Sequence, residues 1–415
     1  MKLRYQKSTA YPSRSAKTFE LLNEEYTARA DNARVRDGAL VPGTYTLSGG
    51  FPSLPAGVAA AYYSQGNGSL CLLTSSAAYR IDEGASAYTA MSSSLSANPF
   101  FADMYINGYS TTVLFSGFTR VAFTGMAQDT ATDEKRFYTG TVHCGRFFAR
   151  DYLDKFKLWW AASHALDWTE GISGCGYAIL PPEGGGVLRL FSFEDRLVAV
   201  RERGITVVRA YGDPENFKVD GSAGYMTADG IIADTCAPCG GRILFCTPSG
   251  IYAFDGGGIS RLYSFAGGRL SSPSAAAACG DIYYVLCDDE YLGSGRLFAF
   301  DVSARSGWVA DLAPRTLFAG EKGVYGVFGT SALRLAEGGQ LVWRSRRLRP
   351  GSCGAYIKSI RVVCEGDVQT ALDVRGASRT FEGAGSHAVN MPADELTVTV
   401  TASGRLSAVE LTAEV

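Results

Sequence analysis

The sequence predicts an all-β protein. Its main body is a β-propeller of about seven blades over residues 41–349, preceded by an extended N-terminal arm (1–40) and followed by a small C-terminal β-sandwich domain (350–415). Three observations lead there. The 415 residues include 49 Gly, 22 Tyr and 22 Phe, while charged residues make up only 19%. That composition suits short strands joined by tight turns better than helices. A two-strand unit recurs along the middle of the chain, spaced by about 42 residues on average, the period of four-stranded propeller blades. A single hairpin also cannot bury its apolar face alone, whereas blades set around an axis cover one another and leave few open edges.

Each element follows in order. Residues 1–40 carry eight Lys/Arg and five Asp/Glu with little periodicity, which reads as an extended arm. Within it, Thr18 to Tyr26 could form a helical turn or two. The repeat has a turn with Gly or Asp, three to five apolar residues, a second turn, and an apolar-aromatic return strand. Its clearest copies are Cys239 to Gly256, Glu194 to Val208, and Gly280 to Cys287 with a return at Arg296 to Phe300. Weaker copies begin near Leu70, Val113, Arg146 and Val324. Beyond Pro350 the pattern widens, and Ile357 to Cys364, Val368 to Val374, Leu396 to Ala402 and Leu406 to Thr412 read as four strands. The segment Trp343 to Pro350, with Arg344, Arg346, Arg347 and Arg349, reads as a basic linker between the two regions.

Composition also limits function. The net charge of −2 disfavours a dedicated nucleic-acid binder. No run is long and apolar enough for a membrane span, and Met1 to Lys17 lacks the apolar core of a signal peptide. Ten cysteines, several inside apolar strand-like runs, suggest thiols buried in a reducing cytoplasm. No catalytic constellation emerges. His143, His164 and His387 belong to no H-E-x-x-H pair, and no G-x-S-x-G elbow occurs. Cys236-Ala-Pro-Cys239 enters a strand rather than a helix and lacks a second paired motif, so it reads as small residues opening a blade. Asp288-Asp289-Glu290 lacks the spacing of a calcium loop and reads as a solvated hairpin tip. Gly66-Asn67-Gly68 and Gly256-Gly257-Gly258 precede no helix and read as hairpin turns. No catalytic residue, cofactor or metal is expected.

The block Phe191 to Val208, the run Gly212 to Phe217 and the block Gly241 to Gly256 resemble the middle blades of tailed-bacteriophage β-propeller structural proteins. Gly145 to Phe148 followed by Leu158 to Ser163 looks like a preceding blade, and Asp31 to Gly43 resembles their arm. The resemblance spans about residues 30–365 and departs at the C-terminus. It implies a non-enzymatic virion component of the neck or tail, made in the host cytoplasm and arranged in several copies as a ring at the head-to-tail connection. Its partners would be other neck, tail or portal-adjacent proteins, with no membrane and no direct nucleic-acid contact. Arg344, Arg346, Arg347 and Arg349, together with Arg34 and Arg36 of the arm, are the expected partner contacts, because guanidinium forks suit carboxylates. The competing reading is a carbohydrate-binding or carbohydrate-active propeller, such as a receptor-binding tail tip, with Tyr62, Tyr63, Trp159 and Trp160 facing a sugar. A cellular kelch-like scaffold is a third reading.

Overall fold

The structure, a computed structural model, describes residues 16–23, 25–82, 84–96, 98–125, 127–169, 174–219, 225–350 and 355–414. Residues 1–15 of the expected arm and Cys353 lie outside the described residues. The chain is all-β and propeller-like; among the described residues the only helical element is the short turn Pro214–Asn216. By its contacts it divides into two compact units, one of residues 46–305 and 312–336, the other of residues 1–45, 306–311 and 337–415.

Seven antiparallel sheets follow one another along the middle of the chain. The second strand of each is Ser69–Leu73, Tyr109–Ser116, Arg146–Asp151, Arg196–Arg201, Arg242–Thr247, Ile282–Asp289 and Gly323–Phe328 in turn. These strands are the apolar runs legible in the sequence, and the reason lies in their packing. In Ser69–Leu73 every residue is buried. Leu70 and Leu72 pack on Phe318, Tyr325 and Val327 of the seventh sheet. Cys71 and Leu73, pointing the other way, pack on Phe101 and Leu114 of the second. A strand covered on both faces needs apolar residues at every position rather than at alternate ones. The same holds for Arg196–Arg201, where Leu197 and Ala199 face the third sheet and Val198 and Val200 face the fifth. From the fifth sheet to the sixth, the Tyr283 hydroxyl donates to the Thr235 carbonyl at 2.5 Å. The sixth sheet's Ala276–Cys279 lies beside the seventh's Thr316–Gly320. Each sheet thus packs on its successor and the seventh on the first.

The seventh sheet takes its fourth strand from early in the chain. Its order is Thr316–Gly320, Gly323–Phe328, Ser331–Glu337, then Thr44–Ser48. Gly49 allows this close return, because a Cβ there would run into the Ala332 carbonyl.

The second unit holds two sheets around one core. One is ordered Ala33–Arg36, Ala39–Pro42, Leu406–Glu414, Ala355–Cys364, Gly385–Ala393, with Ala16–Glu20 also on Leu406–Glu414. The other runs Thr27–Asp31, Leu341–Ser345, Thr397–Ala402, Val368–Val374, Ala377–Glu382. Ile357, Ile360, Leu411 and Val409 of the first sheet share their core with Trp343, Leu372, Val398 and Val400 of the second.

Two expectations are corrected here. The extended arm over 1–40 is replaced, from Ala16 onward, by four strands in these sheets, and Ala16–Glu20 stands where a helical turn was expected. Phe19 and Leu21 explain the change, since they bury against the common core and strand pairing satisfies the intervening backbone. The propeller boundary at 349 also moves back, because Leu341–Ser345 alternates core and outward residues within the terminal unit rather than linking to it.

Asp288-Asp289-Glu290 is not a solvated tip throughout. Asp289 is 4% exposed, and its carboxylate takes two bonds from Arg269 and the N–H groups of Tyr291 and Leu292. Burial works to raise this carboxyl, but the Arg269 and backbone bonds outweigh it and hold the pKa below its usual range. A depressed folded-state pKa contributes stability that is complete above the unfolded value of about 3.9 and is lost as pH falls through the folded one. Asp289→Asn should therefore flatten the acid limb of a melting-temperature profile taken between about pH 7 and about pH 3. An unchanged slope would contradict this.

Candidate functional site

The basic segment forms a built groove rather than a linker. Leu341–Ser345 sends Leu341, Trp343 and Ser345 into the core and Arg344 outward. The chain then crosses the start of Thr27–Asp31, where the Arg346 N–H donates to the Tyr26 carbonyl at 2.6 Å and Arg346 Nε donates to the Thr27 carbonyl at 3.2 Å. Leu348 is buried and exchanges two backbone bonds with Leu396. That bridge turns its neighbours out towards Glu395, whose Oε1 accepts from Arg349 Nε at 2.6 Å and whose Oε2 stands 3.4 Å from Arg347 Nη1.

The result is a groove of about 220 Å³. Phe19, Leu21, Leu348 and Leu411 form its apolar part, Tyr26 and Pro350 flank it, and Arg346, Arg347, Arg349 and Glu25 supply its charges. Arg347 and Arg349 are 72% and 71% exposed at the side chain. Exposed pairs of this kind contribute only about 0–1 kcal/mol, so both guanidinium groups can exchange Glu395 for another carboxylate at little cost.

The other expected contacts lie elsewhere. Arg344 is exposed and lies opposite Arg29 on the neighbouring strand. Arg34 donates to Glu337 at 2.8 Å and sits over the Trp308 ring at 5.1 Å. Arg36 is exposed at the end of Ala33–Arg36. Sequence reasoning found the arginines but not the groove's apolar part. The alternation of Phe19 and Leu21 was the available signal, and Leu411 comes from the other end of the chain.

A second concavity lies within the seven sheets. Their first strands together line a cavity of about 590 Å³. Arg189 and Asp234 form an ion pair at it, and Arg315 is also part of its lining. Of the four aromatics weighed for a sugar face, Tyr62 reaches this cavity and stacks on Phe101 at 5.8 Å. Trp159 and Trp160 are buried between sheets, and Tyr63 lines a separate small pocket beside Tyr325.

Cys236 and Cys239 lie on Ile232–Cys239, and burial pushes both thiols up to about 12, which opposes redox use. Among the described residues no group of three or more His, Cys, Asp or Glu is placed to hold a metal, and no helix is long and apolar enough to cross a membrane.

No protein-family model matches this sequence, and no curated protein matches it. Several solved structures are similar at a distance. PorZ, an essential bacterial surface component of the type-IX secretion system of Porphyromonas gingivalis, is 12% identical with a TM-score of 0.42; the match covers 80% of this chain and 46% of that one. The chain thus spans less than half the length of PorZ. A chain of the mitotic checkpoint complex is 9% identical (TM-score 0.42, covering 75% and 95%). A chain of the complex of BBS1N with ARL6DN is 10% identical (TM-score 0.45, covering 73% and 97%).

Proposed function

We propose that this chain is a non-enzymatic structural component of a tailed-phage virion, placed in several copies at the head-to-tail connection. In this reading the seven sheets are the blades of a seven-bladed β-propeller, and the terminal unit is a small sandwich that carries the contact surface. The observation that carries the proposal is the arginine-rimmed groove. Apolar anchor sites ringed by guanidinium groups suit docking of a partner segment. The seven-sheet body supports it too, since sheets that pack in a closed succession expose few long edges and do not invite uncontrolled strand pairing. The blade-like blocks Phe191 to Val208 and Gly241 to Gly256 supply the link to virion proteins.

The test is to label purified particles, made by the genome that encodes this chain, with gold-conjugated antibody against it. Gold at the head–tail junction is the expected result. Particles without label, or label confined to the distal tail tip, would overturn the proposal.

A further inference from the structure

Cys144 occupies an unusual place. His143 pairs with Arg146 across a two-residue hairpin loop, and the loop residues Cys144 and Gly145 have φ of +47° and +73°. Two positive φ values make a type I′ turn, which favours Asn or Gly at its first position. Asn107 and Gly240 hold that position in the corresponding turns of the second and fifth sheets. The thiol here is exposed, and its Sγ lies 3.5 Å from Nε2 of His143. The His143 imidazole is 1% exposed and is held at its other nitrogen, Nδ1, by Ser192 Oγ of the fourth sheet at 2.9 Å. A nucleophile, a base within reach and a third group orienting that base are the parts of an activated thiol.

The remaining described cysteines are placed differently. Burial raises the thiols of Cys71, Cys236, Cys239, Cys246, Cys287 and Cys364. Cys175 donates to the Thr169 carbonyl at 2.8 Å. Cys279 alone shares the exposure of Cys144 among the described residues. The chain's other two imidazoles bond elsewhere, His164 to the Tyr105 carbonyl and His387 to the Gly383 carbonyl.

We propose that Cys144 is a reactive thiol, with His143 as its base and Ser192 as the positioning group, and that it is a site of modification by small disulfides. With the ring proton on Nδ1 and donated to Ser192, Nε2 accepts from the thiol. Burial keeps the imidazole neutral by lowering its pKa, against the raising influence of the Asp195 main chain and carboxylate. In the exchange, Sγ attacks one sulfur of the disulfide while the thiol proton passes to Nε2. A new S–S bond joins Cys144 to one half of the reagent. The other half leaves with the electron pair of the broken S–S bond and takes the proton from Nε2 as a free thiol. Cys144 is oxidised and the reagent reduced.

The test exposes the full-length protein to oxidised glutathione and follows mixed-disulfide formation by peptide mass mapping at Cys144 and Cys279. Cys144 should react about ten-fold faster than Cys279. His143→Gln should bring Cys144 down to the rate of Cys279 while leaving Cys279 unchanged. Ser192 is exposed, so Ser192→Ala is the variant least apt to disturb folding. It should slow Cys144 several-fold, and Ser192→Thr, which keeps the hydroxyl, should restore the rate. Equal rates at the two cysteines in the unsubstituted protein would overturn the proposal, as would a Cys144 rate insensitive to both His143→Gln and Ser192→Ala.

Discussion

Trp343→Ala is expected to destabilise the terminal unit by about 4 kcal/mol. Trp343 is fully buried among Leu341, Val398 and Val400 of its own sheet and Ile357, Ile360 and Leu411 of the facing one. Its indole N–H donates to Thr27 Oγ1 at 2.9 Å, which ties Thr27–Asp31 to Leu341–Ser345. Truncation removes the ring's burial, leaves a cavity that two sheets must close, and leaves Thr27 Oγ1 with only its bond to the Asn23 carbonyl. Thr27→Val removes this bond together with the one that Thr27 Oγ1 donates to the Asn23 carbonyl at 2.6 Å, and should cost about 2 kcal/mol. Urea unfolding followed by tryptophan fluorescence and circular dichroism separates the two variants. Equal losses would show that packing around the ring contributes little.

Arg201→Leu is expected to cost about 3 kcal/mol. Arg201 is 1% exposed, yet its donors go to neutral acceptors: Nε to the Gly185 carbonyl at 2.8 Å, Nη2 to the Pro181 carbonyl at 2.5 Å, and Nη1 to Thr206 Oγ1 at 3.2 Å. The carbonyls belong to the connection between the third sheet's last strand, Gly176–Ile179, and the fourth sheet's first, Val187–Phe193. A leucine replaces only the apolar stem and leaves both carbonyls without their donor. Arg201→Lys should recover only part of the loss, since one ammonium cannot reproduce a planar fork spanning two carbonyls. Thermal denaturation of the three proteins ranks them directly, and a leucine variant as stable as the parent would contradict this reading of the site.

What the sequence discloses follows burial. Leu70, Val113, Arg146, Arg196, Arg242, Ile282 and Val324, read as the starts of repeated strands, all fall within the second strands of the seven sheets. Those strands are apolar on both faces. The first strands line a cavity, and several of them, such as Ala60–Ser64 and Ala276–Cys279, carry small or polar residues, so no long apolar run marks those. Edge strands such as Ala127–Thr132 are exposed along most of their length and look like loops. The N-terminal strands are short and half-covered, as in Thr27–Asp31, and both Ala16–Glu20 and Thr27–Asp31 pair with residues more than 300 positions away. The groove shows the same division. Its arginines are legible as a charge run, but the part they surround is assembled by pairing Ala16–Glu20 with Leu406–Glu414, a contact between chain ends that local pattern does not encode.

Thr44–Ser48 is the outer strand of the seventh sheet, the pairing that would clasp the proposed ring of blades, and hydrogen exchange of intact protein reads that pairing directly. Backbone amides of Thr46–Ser48 that are bonded to the strand Ser331–Glu337 should exchange as slowly as those of that strand, because both open only when the sheet does. Exchange at Thr46–Ser48 as fast as in an unstructured peptide, beside a protected Ser331–Glu337, would contradict that pairing and the proposed ring that it clasps.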